Sequence, residues 1–132
     1  MVTLMNDKVK AYMGKQENKL AADLEGSFNL PVFVDEASED ELPADNNYFL
    51  LVYGDLFQSN TEGNLSQEVY IVYISENNPE IESQSIDIVT LGVRVNGFTF
   101  RRSIKERVQK GETDDFFNRV TFIFRRVLKH ER

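Results

Sequence analysis

His130 is the only imidazole in the chain, and there is no cysteine. Thiolate metal sites, cysteine nucleophiles and disulfides are therefore absent, and acid–base catalysis lacks its commonest carrier. His130 also sits in a polar tail, Lys129-His130-Glu131-Arg132, of a kind that frays. No Gly-x-Ser-x-Gly elbow, Walker loop or dinucleotide fingerprint occurs, and Gly92 and Gly97 are too far apart for either phosphate motif. Among 22 acids nothing singles out a pair at glycosidase spacing. Asp55 is the one acid inside an otherwise apolar stretch. A raised carboxyl pKa there would mark a functional carboxylate; the plainer reading puts it at a strand end beside Gly54, facing water. No catalytic, metal-ligating or cofactor-binding residue is assigned, and the expectation is a protein that is not an enzyme and carries no cofactor.

The charged residues carry more information. The segment DEASEDELPADN, 35–46, holds 6 acids in 12 residues and reads as a self-repelling, solvated, mobile loop. A divalent-ion site is the sharper alternative, but the spacing lacks the D-x-D-x-D-G order of a calcium loop. Through Ile86 there are 16 acids against 4 lysines; from Asp87 onward 11 Lys and Arg stand against 6 acids, within a total of −7. Either the two parts neutralise each other on folding, or they are surfaces for different partners, or for the same partner head to tail.

The basic surface centres on Arg101, Arg102, Lys105, Arg107 and Lys110, with Arg119, Arg125, Arg126 and Lys129 on a second segment. A nucleic-acid ribbon is one reading, with Phe98, Phe100 and Phe117 as stacking faces. Against it, the phenylalanines alternate with the basic residues and so face the core, and the whole chain is acidic. A protein-assembly module is another, the acidic Asp35, Glu36, Glu39, Asp40 and Glu41 of one copy meeting the basic Arg101, Arg102, Lys105 and Arg107 of the next. A monomer with merely solvated arginines is the plain alternative.

These groups must be positioned by a small fold. At 132 residues, 41% hydrophobic and 11% aromatic, the chain makes one domain with a real core. No apolar run approaches the length of a membrane span, and Met1 to Lys10 has no apolar export region, so a cytosolic, membrane-free protein is expected. Met5, Val9, Met13, Leu20 and Leu24 recur at helical spacing and predict a helix over 4–24, capped by Thr3 or Asn6 and ended near Gly26. Leu30 to Val34 is a short strand, and Pro31 places it at an edge or lies among its first residues. Residues 48–57 are apolar in both alternating sets, predicting a strand covered on both faces. A turn-rich loop, 59–64, joins it to a strand over 67–75.

Asn78-Pro79-Glu80 is a helix start, and Ile81, Ile88 and Leu91 mark one face of a helix to about Val93 or Val95, with Gly97 just past its end. A tight turn at Asn96-Gly97 between two strands is the competing reading. The last third is a long hairpin, 98–128, turning at 109–113, with Arg102, Glu106 and Arg126 breaking the apolar phase where its arms reach past the core. The order is α-β-β-β-α-β-β: an α+β domain, mostly antiparallel, with two helices on one face.

In size, order and texture the chain resembles the tail-terminator (tail-completion) proteins of long-tailed bacteriophages and prophages. The segments that carry the likeness are YFLLVYGDLF (48–57), SQEVYIVYISENN (66–78), the helix after Pro79 and NRVTFIFRRVL (118–128). The resemblance implies a structural virion protein made in the bacterial host cytoplasm. It would form a hexameric ring that caps the finished tail tube, stops its growth and offers the head-joining surface. Its partners would be its own copies, the tail-tube protein and a head-completion or connector protein, with DNA passing through the lumen unbound. The family's sheet would face that lumen, and the net charge of −7 suggests an acidic lining that DNA would not stick to.

Overall fold

The computed structural model describes residues 7–35, 46–59 and 63–129. Several residues named above lie outside these: Met5 with the caps Thr3 and Asn6, the acidic Glu36, Glu39, Asp40 and Glu41, loop residues 60–62, and His130.

The elements run in the expected order: α1 (Asp7–Phe28), β1 (Val32–Val34), β2 (Tyr48–Gln58), β3 (Asn64–Ser75), α2 (Ile81–Val93), β4 (Phe98–Gln109) and β5 (Phe116–Lys129). They build an α+β domain around one 5-stranded sheet of order β1-β2-β3-β5-β4. β1 runs parallel to β2 and every other pairing is antiparallel. Both helices pack on one face, where Leu20, Leu24 and Ile88 meet Phe49, Ile71, Phe122 and Phe124. Burying an aliphatic or aromatic side chain contributes about 1.5–3 kcal/mol, so this single layer supplies most of the driving force.

Helix α1 runs past Gly26 and stops at Asn29, which takes φ 54 while its N–H bonds Glu25 O at 2.8 Å. Asparagine tolerates that left-handed conformation, and it serves here as the C-terminal stop. Helix α2 starts two residues later than the Asn-Pro-Glu pattern predicts: Glu80 holds the N-cap position without a side-chain capping bond, and Asn78 Oδ1 accepts the Glu80 N–H at 2.9 Å in the turn before it. The helix reading of 81–93 holds, and a turn follows it: Phe98 N–H donates to Val95 O at 3.1 Å across Gly97, whose φ is +92. Gly97 therefore closes that turn instead of capping the helix directly.

The helices touch the sheet closely at one point. A Cβ added at Gly92 would lie 2.3 Å from the Phe124 ring. Gly92→Ala therefore overpacks the layer, at about 1–3 kcal/mol, against a helix-propensity gain of at most about 1 kcal/mol. Gly14 of α1 has nothing within 4 Å of its built Cβ. Gly14→Ala should stabilise by up to about 1 kcal/mol. Urea unfolding of both variants should give opposite signs for the same chemical change.

Two bulges shape the sheet. The β2–β3 register shifts between Tyr53 and Leu56, beside Gly54 and the exposed Asp55, and the β4–β5 register shifts between Phe100 and Arg102. A bulge moves every later side chain to the opposite face. Phe98 and Phe100 thus point under the helices, whereas Arg102, Ile104, Glu106 and Val108 pair with Ile123, Thr121, Arg119 and Phe117 on the far side. Unbroken alternation from Phe98 would put Ile104 and Val108 on its face; the bulge separates them.

Strand β2 is fully buried only through Phe49 and Leu51, while Tyr48, Leu50 and Val52 are half-buried. No described helix covers that second face, so the expectation of cover on both faces fails. Cross-strand neighbours bury it in part: Tyr48 sits opposite Ile74, Leu50 opposite Val72 and Val52 opposite Tyr70.

Candidate functional site

Among the described residues the two outer strands of the sheet are β1, an uncharged Val-Phe-Val followed by Asp35, and β4, which carries Arg101, Arg102, Lys105, Glu106 and Arg107. At the β1 edge, Asp35 begins the acidic segment. Its N–H donates to Leu51 O at 2.6 Å, fixing an exposed carboxylate just past the strand with φ 65. Val34 beside it is 50% exposed. At the β4 edge every residue from Arg101 to Arg107 is exposed. With strands spaced about 4.8 Å apart, the two edges lie roughly 19 Å from each other.

The basic residues of β4 do not form one ribbon. Lys105 reaches an ion pair with Glu82 of α2. Arg107 lies over the Phe116 ring at 4.3 Å, and Glu106 pairs with Arg119 at 3.1 Å. Arg101 and Arg102 line a hollow of about 290 Å³ together with Glu68, Ile123 and Arg125. Phe98 is buried and Phe100 packs against the core, so neither is free to stack on a base.

Arg126 is the largest departure from expectation. It does not mark an arm beyond the core; its side chain is 0% exposed on the helix face. Its Nε and Nη2 donate to Gln67 Oε1 at 2.8 and 2.6 Å, its Nη1 donates to Gln16 Oε1 at 3.2 Å, and Glu17 pairs with it at 3.0 Å. The guanidinium also lies 4.7 Å from the Tyr53 ring centre. The two glutamines pass the connection on. Gln67 Nε2 donates to Gly54 O at the β2 bulge at 2.8 Å, and Gln16 Nε2 donates to Asn96 O at 2.9 Å. One buried cation therefore ties α1, the β2 bulge and the α2–β4 turn together. Burial pushes the Tyr53 hydroxyl pKa well up, and the Glu17 carboxylate adds to the shift. The sequence signal for this node is Gln16, a polar residue on the apolar stripe of α1.

The β4–β5 turn is tethered to the end of β3. Lys110 Nζ bonds Glu76 Oε1 at 2.8 Å and Asn46 Nδ2 bonds Glu76 Oε2 at 3.1 Å. The Lys110 contact, then the Asn46 bond, hold the Glu76 carboxyl below the usual 4.5. A depressed carboxyl pKa means that the tether contributes above 4.5 and is lost as pH falls through the lower folded value. In an NMR titration Glu76 should show a midpoint below 4.5, and Lys110→Ala should move it back up.

Asp55 is exposed beside Gly54, but it does not end the strand: β2 continues to Gln58, and Asp55 faces water at the bulge within it. Among the described residues no group of three or more carboxylate or imidazole side chains gathers as a metal site, and no described helix is long and apolar enough to cross a membrane. The open sheet face is not acidic: Arg102, Arg119 and Arg125 share it with Glu68 and Glu106.

No protein-family model matches the chain, and no curated protein matches it. Solved structures do. One, which carries a sequence identifier in place of a descriptive name, aligns over 98% of this chain and 99% of its own length, with a TM-score of 0.57 and 13% identity. At that identity the likeness shows the shared fold alone.

Proposed function

We propose that this chain is a structural assembly subunit of a long-tailed phage or prophage. Copies join edge to edge into a ring, hexameric by the resemblance, that caps the tail tube, stops its growth and offers a surface for head joining. The observation that best supports this reading is the contrast between the exposed basic residues of the β4 edge and the β1 edge, which ends at the exposed Asp35 where the acidic stretch of the sequence begins. A contact between unlike edges is heterologous, and a heterologous contact whose rotation closes generates a ring. Charged side chains along β4 also guard that edge against indiscriminate strand addition while admitting a charge-matched neighbour.

The basic open face belongs at subunit contacts, because a channel lined by it would hold DNA back. The role is architectural, with no reaction assigned. Light scattering behind size-exclusion chromatography, across concentration and salt and followed by negative-stain imaging, tests the proposal. A mass near six subunits with ring-shaped particles is expected, alone or once tail-tube ends are supplied. A monomer under every condition that also fails to bind tail-tube protein would overturn the reading.

A further inference from the structure

The hollow beside the β4 bulge has the chemistry of an oxyanion receptor. Successive residues of a strand ordinarily point to opposite faces, but the bulge re-aims one of them, so Arg101 and Arg102 line the same hollow. Among the described residues neither side chain makes a hydrogen bond or ion pair. Arg125, from the neighbouring strand, completes the group. Its guanidinium lies over the Phe57 ring at 5.1 Å, and its buried Nε–H has no acceptor.

A buried donor without an acceptor costs about 1–3 kcal/mol, more when charged, so an incoming anion would gain from satisfying it. Glu68 stands opposite Arg125 in the register, but it accepts instead from the Tyr70 hydroxyl at 3.2 Å. Three guanidinium groups against one carboxylate leave the hollow with an excess of two positive charges.

We propose that this hollow receives a carboxylate side chain from the acidic segment 35–46 of a second copy. The inference rests on the assembly reading above and names where one half of its contact lies. Planar guanidinium groups match a carboxylate in bidentate fashion. Ile123 supplies an apolar patch on the wall of the hollow, against which the stem of an acidic side chain can rest. Glu68 on the rim and the −7 charge of the chain disfavour a polyphosphate strand. The segment itself supplies six acids, and Asp35 places its start at the opposite sheet edge, where only a head-to-tail neighbour presents it repeatedly.

The probe is a synthetic peptide of residues 34–47, titrated into the full chain while the arginine Nε–Hε signals are followed by NMR. Saturable shifts of Arg101, Arg102 and Arg125 are expected. Arg102→Gln, an exposed change that spares the fold, should weaken binding about tenfold. Arg125→Lys should weaken binding as read from the Arg101 and Arg102 signals, and the peptide with Asn and Gln in place of its acids should not bind. Failure to saturate, equal affinity for the amide peptide, or affinity unchanged in Arg102→Gln would overturn the proposal. So would a single-stranded oligonucleotide binding there in place of the peptide. If the wild type forms rings but the peptide does not bind, the hollow is wrong and assembly stands. If the peptide binds but no ring or tube cap forms, the receptor stands and the assembly reading fails.

Discussion

Arg126→Leu lowers the stability of the folded chain by roughly 3 kcal/mol and its thermal midpoint by about 10 °C. The magnitude follows from what is left behind. Gln67 Oε1 loses both of its guanidinium donors and Gln16 Oε1 loses its one, inside a layer that water does not reach. Glu17 is about a third exposed and regains water, so it adds little. Arg126→Lys should recover only part, because one ammonium cannot span two carboxamides. Adding Gln67→Leu to Arg126→Leu should also recover only part, since the Gly54 carbonyl at the bulge then loses its own donor. Thermal unfolding followed by circular dichroism checks all three variants. A loss below about 1 kcal/mol for Arg126→Leu would mean that the node is incidental to the fold.

The second large effect concerns association. Arg101→Glu with Arg102→Glu should weaken subunit contact about 100-fold, near 3 kcal/mol, because two attractive contacts become repulsive. Both side chains are exposed, so the fold should be within about 0.5 kcal/mol of the wild type. Raising salt should weaken wild-type assembly in the same direction. Lys105→Glu offers an internal comparison: it breaks the pair with Glu82 of its own chain and should disturb assembly far less. Sedimentation equilibrium distinguishes the cases.

Much of the fold was legible because local signals agreed. Pro31 limits its strand to an edge or a strand start, Asn78-Pro79-Glu80 announces the helix that begins at Ile81, and the alternation in 116–128 marks a strand under a layer. The bulge at Arg101 was not legible, since no glycine marks it, and its effect is to exchange the faces of everything after it. Gly54, read as marking a strand end, lies instead at the other bulge. Arg126 was misread for a different reason. A charge in an apolar phase is ordinarily exposed, and what satisfies this one comes from Gln67, 59 residues away, and Gln16, 110 residues away. Arg101 and Arg102 were visible as a basic pair. Arg125 was visible too, on the partner strand of the hairpin, but the bulge that gathers these three around one hollow was not, so the charge of the candidate site could be read and its shape could not.

The central claim is that unlike edges meet, and mixing two half-defective variants tests it most directly. One carries Arg101→Glu and Arg102→Glu; the other carries amides at Asp35, Glu36, Glu39, Asp40 and Glu41. Each alone keeps one good edge and should remain monomeric in analytical ultracentrifugation. Mixed in equal amounts they should form a two-subunit species and grow no further, because the remaining edges are both spent. Rings formed by either variant alone, or a mixture that stays monomeric where the wild type assembles, would contradict head-to-tail joining through these edges.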